Sequence, residues 1–200
     1  MIKGMKWWLN LDIKVIGELP PDDKVVIYAI KHQSAWETVF CTDFFSMPSI
    51  VLKKTLIFLP VIGLYFLRSG AIPISRDQGI NALKKMGRNA KLAVKEKRSM
   101  MIFPQGTRVN PGISAQEKPY LPGVFFLYSQ SKVPVIPVAH NAGLVWPKNS
   151  FMKYPDRVSS KAITLEILPE IPPGLPKKEF LKQLEKAIEN TSNKLINMEK

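Results

Sequence analysis

The sequence is poor in the residues that form covalent and metal frameworks: its 200 residues include one cysteine, Cys41, and two histidines, His32 and His140. A single thiol excludes an internal disulfide framework and fits a reducing compartment. We expect no zinc site, because the two histidines lie far apart in the chain and no second thiol is present. Repeats and low-complexity tracts are absent as well, so we expect a single domain over residues 11–200.

A long apolar run is also missing. An uncharged apolar run over residues 55–67 would reach roughly 20 Å as a helix, which is short of the ~30 Å hydrocarbon core of a membrane. Two interpretations of this run stay open: a buried core segment, or a lipid-facing surface that lies in the membrane without crossing it. Residues 1–10, with their two tryptophans, are expected either to form an interfacial segment or to begin a shortened chain.

Acidic residues are few: the chain has 16 acidic and 29 basic residues, for a net charge of +13. This excess indicates an anionic partner, which is a nucleic acid, an anionic membrane or a phosphorylated substrate. The aromatic residues cluster with aliphatic ones and do not alternate with Lys or Arg. That arrangement is poor for stacking bases, so we expect no nucleic acid partner, and it suits a boundary between water and an apolar phase.

Short β-branched runs alternate with helical patterns along the chain, which predicts an α/β domain with a mixed, largely parallel sheet flanked by helices. Pro73 limits its strand to a sheet edge or a bulge. In the helix over 79–98 we expect Ile80, Leu83, Met86 or Gly87, Ala90 and Val94 to share the core-facing side. The predicted strands are 25–30, 71–75, 99–103, 133–139 and 162–168, and the predicted helices are 35–45, 79–98, 122–129 and a last one from about 176.

His32 and Glu37 lie five positions apart in the segment KHQSAWE, residues 31–37. They can meet if His32 ends a strand and the chain turns before Glu37. Ser34 and Glu37 have the S-x-x-E spacing of a capping box, which predicts Ser34 as the N-cap of the following helix. Two interpretations stay open: Glu37 only caps this helix, or its carboxylate also fixes the His32 tautomer of a general base.

A protein nucleophile for such a base is missing. The sequence has no G-x-S-x-G elbow. Cys41 lies in an apolar stretch of the same helix and is expected to pack in the core. A base without a protein nucleophile would activate a substrate hydroxyl directly.

Two further segments end predicted strands with cationic residues. In FPQGTR, residues 103–108, Gly106 permits a positive φ or a close backbone approach, Thr107 offers a hydroxyl, and Arg108 offers a planar fork for phosphate. Arg76 follows the strand over 71–75. Each segment alone is also compatible with an ordinary turn or a solvated surface residue.

Taken in order, these segments resemble the lysophosphatidic acid acyltransferase family of glycerolipid acyltransferases over roughly residues 11–195. That family has four blocks: a histidine and an acid separated by four residues, a strand ending in arginine, FPEGTR, and a proline-bearing strand. The matching segments here are 32–37, 72–76, 103–108 and 133–138. The chain departs from the pattern at Glu37, where aspartate is commoner, and at Gln105, where the family has glutamate.

The resemblance implies a glycerolipid acyltransferase-like fold and acylation of the sn-2 hydroxyl of 1-acylglycerol 3-phosphate (lysophosphatidic acid) to phosphatidic acid. It implies His32 and Glu37 as the catalytic residues, with acyl-CoA or acyl carrier protein as co-substrate and no cofactor. The implied place of action is the cytoplasmic face of an anionic membrane, in peripheral or monotopic attachment. The residues implied in substrate binding are Ser34, Lys53, Arg76, Gln105, Gly106, Thr107 and Arg108.

Two other functions remain open from the sequence. In the first, the same acyl transfer uses a different lysolipid or glycerol 3-phosphate as acceptor. This alternative is open because Gln105 lacks the charge of the glutamate that the family has at this position. The alternative from another class is a non-enzymatic basic module that binds nucleic acid or anionic membranes, which the pI near 9.8 favours.

Overall fold

The computed structural model describes residues 11–199, without the side chains of Ile62 and Arg76. The strands in this range are β1 (Asp12–Ile16), β2 (Ile27–Ile30), β3 (Ser49–Lys53), β4 (Ile72–Ile74), β5 (Met100–Ile102), β6 (Val135–His140) and β7 (Ala162–Ile167). The α-helices are α1 (Trp36–Phe44), α2 (Ile62–Arg68), α3 (Gly79–Lys95), α4 (Pro122–Ser131), α5 (Ala142–Val145) and α6 (Lys177–Asn197). Short 3-10 helices cover Lys54–Phe58, Arg76–Gln78 and Pro155–Arg157.

The described strands form one sheet in the order β1-β7-β6-β2-β5-β3-β4. Every neighbouring pair is parallel except β6 and β7, which are antiparallel. The prediction of an α/β fold with a mixed, largely parallel sheet flanked by helices is therefore confirmed. Strand β4 lies at the edge, as the proline at position 73 requires, because proline has no N–H to donate to a further strand.

Strand β2 lies between β5 and β6 and is buried on both faces. Tyr28 and Ile30 belong to the apolar cluster on the α1 side of the sheet, whereas Ile27 and Ala29 belong to the cluster formed with α3, α4 and α6. Parallel strands covered by helices on both faces read as continuous apolar runs, which is why this strand was predictable.

Other elements differ from the prediction. Strands β1 and β3 and helix α2 were not predicted. In α3 the buried residues are Ala82, Met86, Ala90 and their neighbours, whereas Ile80 is 68% exposed. The expectation that Met86, Gly87 and Ala90 face the core is confirmed, and Leu83 and Val94 pack partly buried against it. The expectation for Ile80 was wrong, because the buried position in that part of the helix is Ala82.

The apolar run over residues 55–67 lies largely on the surface, so its interpretation as a buried core segment was wrong. Phe58 is 75% exposed, Val61 81% and Leu64 65%, while Phe66 is buried and attaches α2 to the core. Together with Leu59 and Leu67, these exposed side chains form what we call the 58–67 surface. Among the described residues no helix is both long and apolar enough to cross a membrane.

A buried ion pair fixes the chain at the carboxyl end of β2. Lys31 is 2% exposed, and its Nζ lies 2.7 Å from both carboxylate oxygens of Glu189 in α6 and 2.9 Å from the carbonyl oxygen of Ile113. The Tyr120 hydroxyl donates to Glu189 Oε1 at 2.9 Å. The pair therefore connects β2 and the loop that follows β5 to the last helix.

We expect Glu189→Ala to lower the free energy of unfolding by about 3–5 kcal/mol, because it leaves the buried Lys31 ammonium without its counter-charge. The matched control is Glu179→Ala, on an exposed part of the same helix, which should change it by about 0.5 kcal/mol or less. Urea unfolding followed by circular dichroism measures both. Equal stabilities for the two variants would contradict the structural role of the pair.

Candidate active site

A cleft of about 350 Å³ opens at the carboxyl ends of the central parallel strands. His32 follows β2, Lys53 ends β3, and Gly106 and Thr107 follow β5; all four line the cleft. Because β2, β5 and β3 are adjacent and parallel, their carboxyl ends meet at one edge of the sheet, where α/β folds bind their ligands. The topology thus brings together segments that are distant in the sequence.

His32 and Glu37 form the close pair that their spacing allows. His32 Nδ1 lies 2.8 Å from Glu37 Oε1. Glu37 Oε1 also accepts the backbone N–H groups of Gln33 at 2.8 Å and Ser34 at 2.7 Å. The carboxylate is fully buried, whereas the His32 side chain is 17% exposed and stacks on the ring of Phe103. The carboxylate is therefore enclosed in the protein, and the imidazole that it contacts faces the cleft.

Glu37 both completes the start of helix α1 and contacts His32. Helix α1 begins at Trp36, one residue later than the capping box predicts, and the Ser34 hydroxyl accepts the Trp36 N–H at 3.1 Å. Glu37 still returns to the Ser34 N–H as a capping-box acid does. The same oxygen that satisfies the start of the helix contacts His32.

Charges around Glu37 keep it ionised. Burial alone would raise its pKa, but the imidazoles of His140 and His32 and the N–H of Ser34 hold the pKa of the carboxyl below its usual value. An ionised carboxylate only accepts hydrogen bonds, so His32 Nδ1 carries the proton that it donates to Glu37. Nε2 is then the unprotonated nitrogen, and it is the one able to take a proton from a ligand.

The turn over residues 103–108 contributes backbone to the cleft. Gly106 has φ of 65°, which is one of the two roles that the sequence left open, and its N–H donates to the Phe103 carbonyl at 2.9 Å. The N–H of Val109 donates to the His32 carbonyl at 2.8 Å. The turn is thus joined directly to the catalytic histidine proposed from the sequence.

Two residues implied in substrate binding lie behind the cleft wall. Ser34 is fully buried and uses its hydroxyl for Trp36, and Gln105 is 2% exposed and donates from Nε2 to the Lys118 carbonyl at 3.1 Å. Neither side chain lines the cleft. Each of these side chains instead forms a hydrogen bond with a backbone group of the protein.

The cationic residues implied in substrate binding do not all line the cleft. Lys53 is exposed and lines it, and Arg108 is half-buried after the turn without lining it. Arg76 begins a short helix two residues after β4, and its side chain is outside the described part of the structure. Within the described lining, Lys53 and His32 are the ionisable side chains. No carboxylate lines the cleft there, so its charge favours an anion.

Most of the remaining wall is apolar. Side chains from β3, the 3-10 helix Lys54–Phe58, α2, β4, α3, β5, α4 and the residue before α4 together can surround a hydrocarbon chain. They are Ile50, Val51, Leu52, Leu56, Phe66, Ile74, Met86, Ile102, Leu121 and Val124. The cleft therefore joins one proton-accepting group and one cation to a long apolar wall, which is the chemistry of an amphipathic ligand.

Cys41 is fully buried on α1, as predicted from its apolar surroundings. Burial, with a further contribution from the Glu37 charge, raises the pKa of its thiol well above the ordinary value. A buried neutral thiol is a poor nucleophile. The site therefore has a base without a cysteine nucleophile beside it.

His140 was not expected at the site, because it lies far from His32 in the chain. In the structure, His140 Nε2 lies 3.9 Å from Glu37 Oε2, on the side of the carboxylate away from His32. The predicted strand over 133–139 stops one residue before His140, and its position beside β2, where parallel neighbours end together, is set by the sheet topology. The described residues contain no group of three or more His, Cys, Asp or Glu that could hold a metal ion.

A family model described as Acyltransferase matches residues 12–141. The chain is 34% identical over 150 residues to the 1-acyl-sn-glycerol-3-phosphate acyltransferase of Pseudomonas aeruginosa, covering 75% of this chain and 56% of that protein. It is 31% identical over 147 residues to the enzyme of the same name from Saccharomyces cerevisiae, covering 72% of this chain and 48% of that one. The chain thus spans only about half of these two relatives.

A solved structure gives the same fold. The crystal structure of the 1-acyl-sn-glycerophosphate (LPA) acyltransferase PlsC from Thermotoga maritima superposes with a TM-score of 0.74, covering 96% of this chain and 76% of that one. The sequence identity of 20% carries the likeness of the fold and no more. The family match covers more than half of the chain, including the His32–Glu37 pair, the turn over 103–108 and β6, and the chain belongs to the Acyltransferase family.

Proposed function

We propose that the protein transfers a fatty acyl group from acyl-CoA or acyl carrier protein to the sn-2 hydroxyl of 1-acylglycerol 3-phosphate, making phosphatidic acid. The observation that carries the proposal is the His32–Glu37 contact of 2.8 Å at the mouth of an apolar cleft. The printed names of the relatives from Pseudomonas aeruginosa and Saccharomyces cerevisiae support this acceptor.

The reaction is a direct attack on the thioester. His32 Nε2 takes the proton of the acceptor hydroxyl as its oxygen bonds to the thioester carbonyl carbon. Glu37 stabilises the imidazolium that forms, as the carboxylate of a catalytic triad does. When the tetrahedral intermediate collapses, the carbon–sulfur bond breaks and the proton on Nε2 passes to the leaving thiolate. The products are the ester and the free thiol, without an acyl-enzyme intermediate.

Binding of the acceptor uses the cations and the turn. Lys53, Arg76 and Arg108 hold the phosphate, and the apolar wall of the cleft takes a hydrocarbon chain. Gly106 and Thr107 shape the acceptor site, and Ser34 and Gln105 support it from behind. A backbone N–H of the turn stabilises the thioester oxyanion. This donor is a group other than the Gly106 N–H, because that N–H already donates to the Phe103 carbonyl.

Replacing His32 with alanine tests this function. The base accounts for about 10² to 10⁴ in rate, so His32→Ala should lose at least 100-fold in the release of thiol from acyl-CoA with 1-acylglycerol 3-phosphate as acceptor. The matched control is Lys178→Ala on the exposed side of α6, which should keep wild-type turnover. A folded His32→Ala variant with wild-type turnover would contradict the mechanism.

The same assay separates the remaining alternatives when it is run with a panel of acceptors. Turnover with another lysolipid or with glycerol 3-phosphate, and none with 1-acylglycerol 3-phosphate, would replace the acceptor and retain the mechanism. Salt-dependent binding of DNA without acylation of any acceptor would favour a non-enzymatic basic module instead.

The proposal includes a location at the cytoplasmic face of a membrane, in peripheral or monotopic attachment. The 58–67 surface supports it, because its large apolar side chains are 44–81% exposed and such a patch favours an interface with lipid. Exposed Lys53, Lys54 and Arg68 flank this surface, and cations near anionic lipid contribute about 1 kcal/mol each. Leu56, beside the surface, lines the cleft, so a docked membrane would present its lipids at the cleft mouth.

Acidic substitutions on the 58–67 surface test this location. We expect Val61→Glu with Leu64→Glu to weaken binding to vesicles of phosphatidylglycerol and phosphatidylcholine at least about tenfold in co-sedimentation, because each buried aliphatic side chain contributes roughly 1.5–3 kcal/mol. Leu19→Glu is the matched control: Leu19 is 49% exposed in the loop before β2, at the opposite edge of the sheet. Equal binding of all three proteins would contradict docking through this surface.

A further inference from the structure

His140 is a fully buried histidine to which the proposed mechanism assigns no role. Its Nε2 lies 2.7 Å from the carbonyl oxygen of Lys31, and its Nδ1 accepts the N–H of Ala142 at 3.2 Å. A backbone N–H only donates, so Nδ1 carries a lone pair and the ring proton is on Nε2. These two contacts define a neutral imidazole that donates to the carbonyl immediately before His32.

The same Nε2–H group faces the back of the catalytic carboxylate. Glu37 Oε2 is buried and has no hydrogen-bond partner among the described residues. It lies 3.9 Å from His140 Nε2, too far for a hydrogen bond and close enough for a favourable interaction between the charge and the N–H dipole. Glu37 therefore has an imidazole on each side, His32 at Oε1 and His140 at Oε2.

The chain around His140 also holds the chain around His32. The Lys31 N–H donates to the Val138 carbonyl at 3.1 Å, and the Gly143 N–H donates to Gln33 Oε1 at 3.4 Å. A Cβ on residue 143 would lie 2.7 Å from the Gln33 Cβ, so only glycine allows this approach. Segment 138–143 thus contacts the residues on both sides of the catalytic histidine.

We propose that His140 is a positioning residue for the acyl transfer: through the Lys31 carbonyl it fixes the backbone of His32, and through Glu37 it limits the basicity of His32. The inference rests on the proposed function for its kinetic consequences. His140 remains neutral throughout the reaction and exchanges no proton with substrate. The N–H dipole offsets part of the Glu37 charge, so less of that charge is felt at His32.

The charged and titratable groups around His140 are few. Glu37 and His32 face it from one side, and Lys31 lies next to the carbonyl that it binds, with the ammonium paired to Glu189. Burial lowers the pKa of His140, which agrees with the neutral ring that its hydrogen bonds require. The buried thiol of Cys41 also lies near Glu37 and is neutral.

Two substitutions at this position separate the contacts. The amide nitrogen of glutamine reaches about as far as Nε2, so His140→Gln keeps a donor for the Lys31 carbonyl. The asparagine amide matches Nδ1, so His140→Asn keeps the contact with Ala142 and removes the donor. We expect His140→Asn to lower kcat about 10- to 100-fold with little change in KM, and His140→Gln to remain within about threefold of the wild type.

The pH profile distinguishes positioning from a purely structural role. Without the Nε2–H group, His32 feels the full Glu37 charge and its imidazolium becomes more stable. The acidic limb of kcat/KM should therefore move to higher pH in His140→Asn and stay in place in His140→Gln. Wild-type kinetics in His140→Asn, or equal losses in both variants with an unmoved limb, would overturn the inference.

Nitrogen-15 NMR of the wild-type protein labelled at histidine tests the geometry without relying on activity or on the folding of a variant. The chain has two histidines, so the two imidazoles are assigned by comparison with His32→Ala. We expect His140 to remain a neutral Nε2–H tautomer from pH 5 to 8. A titrating ring or an Nδ1–H tautomer would overturn the inference, whereas this spectrum with no acylation by the wild type would overturn the proposed function alone.

Discussion

The site depends on one buried carboxylate. Glu37 Oε1 receives N–H groups from Gln33, Ser34 and the His32 ring. Hydrogen bonds to a charged group contribute roughly 1.5–3 kcal/mol each, which offsets the cost of removing the carboxylate from water. Because the same oxygen completes the start of α1, the helix, the turn and the imidazole are fixed by a single atom. A change at this carboxylate would therefore alter both the local fold and the base.

The sheet topology supplies the rest of the constellation. Strand β2 has β5 on one side and β6 on the other, all parallel. Their carboxyl ends deliver His32, the turn over residues 103–108 and His140 to one edge. The Lys31–Glu189 pair and the contacts of segment 138–143 then hold the end of β2 from two further directions. The His32 ring lies on a short loop, but the backbone around it is joined to strands and helices on each side.

The sequence predicted those parts of the molecule that have a strong local signal. Strand β2 is an apolar run, β7 is rich in β-branched and apolar residues, and α6 has an amphipathic period. The His32–Glu37 spacing indicated a helix cap that follows the end of a strand. Strand β1 was missed because it lies at a sheet edge and is mostly exposed, so its residues show no apolar run. Strand β3 was missed because Pro48 directly precedes it and a lysine ends it, so only a short apolar stretch lies between them.

Other features depend on tertiary structure and have no local signal. The apolar residues over 55–67 look the same in sequence whether they pack inward or face outward, and the structure leaves most of them exposed. The placement of His140 depends on which strands are neighbours, which one-dimensional spacing does not express. The side chains of Ser34 and Gln105 lie behind the cleft, where the Ser34 hydroxyl and the Gln105 amide nitrogen form hydrogen bonds with backbone groups. The family motifs therefore identified the residues around the site. The structure separates those whose side chains line the cleft from those that form hydrogen bonds behind it.

Turnover of Glu37→Gln tests the central claim most directly, because glutamine keeps the shape and one hydrogen-bond acceptor, and it removes the charge by replacing the other oxygen with NH2. Thiol release from acyl-CoA with 1-acylglycerol 3-phosphate should fall by about 100-fold or more, since the imidazolium formed during the attack loses its counter-charge. Wild-type turnover by a cooperatively folded Glu37→Gln protein would contradict the account.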